Sequence, residues 1–359
     1  MNSYERIITV LEGKIPDVLP VAPFLSNHAA KIAGVPLSSY YCDGKLMGRV
    51  LYEAWERYGY DMIFAQSDNY YIAEGMGLET RKEGELLPCI TNHPVSSFAE
   101  AARTLKVPDP YSDGRMPVYL DALDYLNARV GKKVALRGTG TGMFSLLSHL
   151  YGLENFLMDV GEMAMGVEEE DPDALEDAKM FHEAMEICTE TLVRFSTAEI
   201  EAGANVVHMG DSLGSLNVIS PSIFRGYVWP YLREYFERMQ PVFKKYHAFG
   251  LLHICGDNSR VLEDYVATGA DLYEMDYKMD VAKTKQQVDG RMTLLGNVNP
   301  AELVQASAEQ IRETCRKIVR DGAAGGKFIL GTGCETGTIT PPENIHAMVE
   351  VAHSYHYEG

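Results

Sequence analysis

The stretch Leu251-Leu252-His253-Ile254-Cys255-Gly256-Asp257 sets an imidazole and a thiol two residues apart at the end of an apolar run. In a β-strand, residues i and i+2 leave the same face, so the two side chains would emerge together. A third metal-binding side chain, Cys334, follows the apolar run Lys327-Phe328-Ile329-Leu330. Neither cysteine belongs to a CxxC, which argues against a zinc ribbon or a dithiol redox pair. One imidazole and two thiolates suit zinc, a borderline-soft ion without a geometric preference of its own. Three protein ligands leave one coordination position open, the arrangement of a catalytic site. There Zn2+ would polarise a substrate group or lower the pKa of a thiol or water. Asp276, next to the following apolar run, is the candidate oxygen donor for the fourth position.

For these residues to meet, the chain between them must return Cys334, 79 residues beyond Cys255, to the same rim. The patterning supplies a way. Strand-like runs occur at Val18 to Leu25, Asp61 to Ala65, Val134 to Gly138 and Asn205 to Met209. Others occur at the His253 run, Asp271 to Met275, Met292 to Gly296 and Lys327 to Leu330. Helical segments separate most of them. Asp171-Pro172 has the cap and first-turn chemistry of a helix start, and Ser307-Ala308-Glu309-Gln310 reads as a capping box. Alternation of strand and helix implies a parallel sheet. Eight such units, with no G-x-G-x-x-G fingerprint, predict a (β/α)8 TIM barrel over an open doubly wound sheet. The expectation is a single barrel domain over 1–359 with an irregular, hairpin-bearing excursion at about 66–113.

Active sites of such barrels form at the C-terminal ends of the strands. Asp211 and Ser212 follow the fourth strand, Glu274 and Asp276 the sixth, Asn297 and Asn299 the seventh, and Glu335 the eighth. Asp211 and Glu335 are the candidate catalytic carboxylates, and Ser212 and Asn297 the candidate substrate contacts. Asp257, Asn258 and Asn299 read as helix caps. Cys42, Cys89, Cys188 and Cys315 read as core filling. His28, His149 and His208 read as pocket lining at most.

Composition narrows the partners. With 51 acidic against 32 basic residues the net charge is −19, which argues against nucleic acid and anionic lipid. No apolar run reaches the roughly 18–20 residues that span a bilayer, so no membrane partner is expected. Six scattered cysteines and an amino-terminal segment without a signal-peptide pattern point to a reducing, cytoplasmic setting.

Gly13-Lys14-Ile15-Pro16-Asp17-Val18-Leu19-Pro20-Val21, His253-Ile254-Cys255-Gly256, Gly296-Asn297-Val298 and Cys334 ahead of Thr340-Pro341-Pro342-Glu343-Asn344 carry a resemblance. Together they resemble the uroporphyrinogen decarboxylase superfamily, and more closely its zinc-dependent, corrinoid-linked methyltransferase branch, which includes the methylcobalamin:coenzyme M enzymes. The resemblance spans nearly the whole chain and implies the (β/α)8 fold. Asp211-Ser212 also matches a superfamily position. In that branch zinc holds a thiol as thiolate, which takes the methyl group of methylcobalamin. The same metal could instead activate an O- or N-methylated donor while the corrinoid accepts the methyl group. The chain lacks a D-x-H-x-x-G cobalamin motif, so the resemblance implies a corrinoid carried on a separate protein.

Two departures matter. The decarboxylase branch carries arginines in its first barrel loop, whereas Val21 to Ala33 contains none. Glu335-Thr336-Gly337-Thr338 departs from the coenzyme M enzymes by placing an acid directly after the third ligand, which leaves thiol specificity open. The rival readings are a metal-free decarboxylase of the same fold, and a non-catalytic corrinoid- or zinc-binding protein.

Overall fold

A computed structural model describes residues 1–357. The eight strands that build the central sheet are short, because only their middles must be laddered while their C-terminal ends diverge into loops. They are β1 (Val21–Ala22), β2 (Met62–Phe64), β3 (Ala135–Arg137), β4 (Val206–Gly210), β5 (Phe249–His253), β6 (Leu272–Glu274), β7 (Thr293–Val298) and β8 (Phe328–Thr332). All are parallel, in the order β1-β8-β7-β6-β5-β4-β3-β2. The two ends of this order meet at Asp61. Its N–H donates to the Val21 carbonyl at 2.7 Å, and its carboxylate accepts from the Val21 N–H at 2.9 Å. The protein is a (β/α)8 barrel, as the alternation of strand and helix predicts.

β1 is much shorter than the Val18 to Leu25 run. Pro20 and Pro23 flank it, and neither can donate a ladder hydrogen bond. The helices run closer to expectation. Met116–Val130 ends at Gly131, and Pro172–Glu201 begins at Asp171, whose side chain accepts from Asp173 N–H. The helical stretch after Gly142 is two helices, Met143–Tyr151 and Leu153–Glu168, parted at Gly152.

The barrel has a plugged end and an open end. Ile7, Val10 and Leu11 of the amino-terminal helix Ser3–Leu11 pack on Ala22, Met62, Ala135, Val206, Leu251, Leu272, Leu295 and Ile329 inside the strands. A capping box between Asn2 and Glu5 starts that helix. Sealing the N-terminal end leaves the interior accessible only from the rim where the strands finish.

Between β2 and β3 lie the helix Tyr71–Gly75, an antiparallel hairpin of Glu79–Arg81 with Cys89–Asn92, and the helix Phe98–Thr104. The hairpin stands outside the barrel layers, so Cys89 is exposed, and Cys42 is exposed on its loop. Core filling therefore holds for Cys188 and Cys315 and fails for these two. No helix among the described residues is long and apolar enough to cross a membrane.

Candidate metal centre and active site

Parallel register brings Gly210, His253 and Glu274 to one level at the ends of β4, β5 and β6. His253 Nδ1 lies 3.0 Å from the main-chain carbonyl of Glu274. A carbonyl can only accept, so the proton sits on Nδ1 and the Nε2 lone pair is free for a metal. That Nε2 lies 3.2 Å from Cys255 Sγ, and Cys255 Sγ lies 3.9 Å from Cys334 Sγ. The three ligand atoms fall within 4.8 Å of one another.

The donor set fits zinc. Two thiolates on a tetrahedral zinc with bonds of about 2.3 Å stand roughly 3.8 Å apart. The sulfur pair already has that spacing. The three side chains share their protons unequally. Cys334 donates to Cys255, and with His253 alongside this holds the Cys255 thiol well below its ordinary range. Cys334, the donor in that contact, is pushed up. Burial opposes a charge on His253, but Cys255 and Glu274 outweigh it and raise the imidazole to about 9.

The loop that carries Cys255 is tightly held. Asp276 accepts from Gly256 N–H and from Lys278 N–H, each at 2.8 Å. Asn258, fully buried, donates to the carbonyls of Ile254, Cys255 and Gly256 and accepts from Leu216 N–H. Gly256 adopts φ +96, and a Cβ there would come within 2.7 Å of Asn217 and Ser215. Any other residue would therefore displace the thiol next to it.

The cluster forms one wall of a cavity of about 170 Å³ at the open end. Ser212, with Oγ 3.4 Å from Cys255 Sγ, and Glu335 also line it. Glu335 accepts from the Asn27 side chain at 2.8 Å, and desolvation pushes its carboxyl up to about 7. The opposite wall comes from Gln66, Ser67, Asp68, Asn69 and Tyr70 after β2. Arg115 clamps that wall from behind, with both terminal nitrogens 2.8 Å from the Asp68 carboxylate and Nε 2.6 Å from Glu74.

A family model described as "Uroporphyrinogen decarboxylase (URO-D)" matches residues 2–355. The chain belongs to that family. It is similar to the methylcobamide:CoM methyltransferase MtaA of Methanosarcina barkeri, at 25% identity over 358 residues, covering 98% of this chain and 97% of the relative. It is also similar to a uroporphyrinogen decarboxylase of Carboxydothermus hydrogenoformans, at 28% identity over 300 residues, covering 82% and 79%. A solved methyltransferase structure from Methanosarcina mazei shares the fold, with a TM-score of 0.85 at 23% identity over 98% of both chains.

Within this uroporphyrinogen decarboxylase family member, three of the polar candidates from the sequence serve the backbone. Asp211 is fully buried and accepts from Phe144 N–H at 3.1 Å, Ser145 N–H at 2.8 Å and Ser145 Oγ at 2.6 Å. It caps the helix Met143–Tyr151 instead of facing the cavity, and Gly142 has no Cβ because one would lie 2.3 Å from Asp211 Cβ. Asp276 lies outside the ligand cluster, since both of its oxygens serve amides. Asn297 donates to the carbonyls of Asp276 and Met279, at 3.0 and 2.8 Å, and braces the same loop.

Beneath the cluster lies a network that the sequence pattern does not reveal. Arg137 and Glu274, 1% and 0% exposed, form a two-pronged pair at 2.8 and 2.6 Å, and Arg137 also donates to His208 Nδ1 at 2.6 Å. Phe64 covers the guanidinium, its ring centroid 3.7 Å from Cζ. His208 lines the cavity and stacks on His253. Burial, followed by the Arg137 charge, holds His208 well below its ordinary value. Its signal would have been an arginine inside an apolar strand run, which only a charged partner in the barrel can explain.

Proposed function

We propose that the protein is a zinc-dependent methyltransferase that moves a methyl group between a corrinoid on a separate carrier protein and a small substrate. The observation that carries this reading is the convergence of His253 Nε2, Cys255 Sγ and Cys334 Sγ at the mouth of a cavity. Those three residues would hold the ion. Bound there, zinc would supply Lewis-acid activation, lowering the pKa of a thiol acceptor or polarising the oxygen or nitrogen of a methylated donor.

The rest of the mechanism belongs to the chain. Glu274 fixes the His253 tautomer through its carbonyl, and Asp276 and Asn258 hold the Cys255 loop so that the ligands need little rearrangement. Ser212 and Glu335 offer hydroxyl and carboxyl groups to the substrate beside the cluster. In the thiol direction the S–H proton is released to solvent, a C–S bond forms from the thiolate as the methyl group leaves methylcob(III)alamin, and the Co–C electron pair stays on cobalt as cob(I)alamin. The cavity holds only a small molecule, so a corrinoid would be presented at the mouth. Leu86 and Leu87, 69% and 60% exposed at the hairpin tip, give that mouth an apolar edge suited to a protein partner.

A decarboxylase reading meets a cavity without the cations a polycarboxylate requires. The test is metal analysis of the purified protein coupled to a spectrophotometric assay for cob(I)alamin, against thiols and methylated donors. About one zinc per chain and corrinoid-linked turnover are expected. Metal-free protein that decarboxylates a porphyrinogen would overturn the proposal. If chelation unfolds the protein and no methyl transfer is detectable, the non-catalytic reading prevails.

A further inference from the structure

The side chains around the cavity, outside the ligand cluster, offer no free cation to an anion. None of the described side chains lining it is a lysine or arginine. The two arginines that bond to wall residues are both already paired: Arg115 with Asp68 and Glu74, Arg137 with Glu274. Two sets of main-chain donors on the rim are occupied as well. Asp211 takes the N-terminal amides of the helix Met143–Tyr151, the kind of site that otherwise receives a phosphate, sulfonate or carboxylate. Asp276 takes the Gly256 amide.

Apart from the ligand cluster itself, with His253 and the ion it would hold, what faces the cavity is neutral or negative. Arg137 can only donate, so His208 Nδ1 accepts and the imidazole carries its one proton on Nε2. Ser212, Asn69 and Gln66 are uncharged. Glu335 is a carboxyl group with Asn27 as its hydrogen-bond partner and no cation paired with it. An anionic substrate would face this acidic side chain in a confined space, with no lysine or arginine free to offset desolvation. The net charge of −19 would add a repulsive field on approach.

We infer that the site takes a small substrate without an anionic group, a neutral or cationic thiol or methylated compound, with Glu335 as the residue that discriminates by charge. This rests on the cluster being the substrate site of the methyltransferase proposed above. It separates the chain from its relatives named for CoM, a thiol that bears a sulfonate.

The test titrates 2-mercaptoethanol, cysteamine and 2-mercaptoethanesulfonate into zinc-loaded protein by calorimetry, with the cobalt-substituted protein followed by its visible spectrum. The sulfonate is expected to bind at least tenfold more weakly than 2-mercaptoethanol, and cysteamine at least as tightly. Glu335→Gln keeps the hydrogen bond to Asn27, and should narrow the sulfonate gap to within about threefold. Equal or tighter binding of the sulfonate, or a gap unchanged by Glu335→Gln, would overturn the inference. If zinc and cobalt are not retained, the methyltransferase reading falls. Calorimetry on the protein as purified still ranks the three compounds by charge and decides this inference separately.

Discussion

Arg137 donates to Nδ1 of His208 at 2.6 Å while gripping both oxygens of Glu274, so one guanidinium joins the ends of β3, β4 and β6 beneath the metal cluster. With the pair almost wholly buried, removing one partner strands the other charge. Arg137→Met should cost roughly 3–5 kcal/mol in urea unfolding, whereas Arg137→Met with Glu274→Leu should recover most of that loss. Equal destabilisation of the single and double variants would show that the charge pair is not the cause.

The three ligands and their brace should separate in a chelator competition. His253→Ala, Cys255→Ser and Cys334→Ser each remove a ligand and should abolish stoichiometric zinc while the far-UV circular dichroism stays unchanged. Asn258→Ala removes no ligand but frees the carbonyls of Ile254, Cys255 and Gly256. It should weaken zinc by about 10–100-fold, the range typical of outer-shell partners. Wild-type affinity in Asn258→Ala would mean that the loop is held by Asp276 alone.

The sequence was informative about the site wherever periodicity and topology suffice. Strand and helix alternate clearly, so the barrel and the rim at the strand ends could be read. His253 and Cys255 share a strand face at i and i+2. Closure of a barrel then returns Cys334 to them, at 3.9 Å from Cys255. Asp211, Asp276 and Asn297 show where this kind of reading stops. All three lie on the rim, but whether a rim carboxylate faces substrate or a main-chain amide depends on the loop path, which periodicity does not encode. The Arg137–Glu274–His208 network was hidden for a related reason. Its members lie on three strands, and nothing local to any of them names the others.

Asp211 gives a direct check on that distinction. As a cap it satisfies two amides and one hydroxyl at the start of the helix Met143–Tyr151. Burial raises its pKa against these hydrogen bonds, so it is held by geometry instead of by a cation. Asp211→Ala should lower stability by about 1–3 kcal/mol, and zinc content should stay at the wild-type level. Any loss of turnover should track the unfolded fraction and disappear at lower temperature. A rate loss of several orders of magnitude in fully folded protein would restore a catalytic role.

His149 provides the clearest pH signature away from the metal cluster. It packs edge-on against Tyr70 behind the cavity wall, and burial lowers its pKa from an ordinary 6.5 to about 4. A histidine depressed in the folded state binds its proton first in the unfolded chain. Its contribution is therefore complete above pH 6.5 and is lost as the pH falls from there towards 4. The loss is at most about 3.5 kcal/mol, from roughly 1.4 kcal/mol per pKa unit. Carboxylates and the metal ligands also titrate on acidification, so the comparison must be with a variant in which only this group is silenced. His149→Gln should be less stable than the wild type at pH 7.5, because it disturbs the packing against Tyr70, but its stability should fall less steeply between pH 6.5 and 4.5. Urea midpoints measured in parallel on the two metal-free proteins would decide the matter: converging curves identify His149 as an acid-sensitive group, and parallel curves assign that slope to the carboxylates and the ligand cluster.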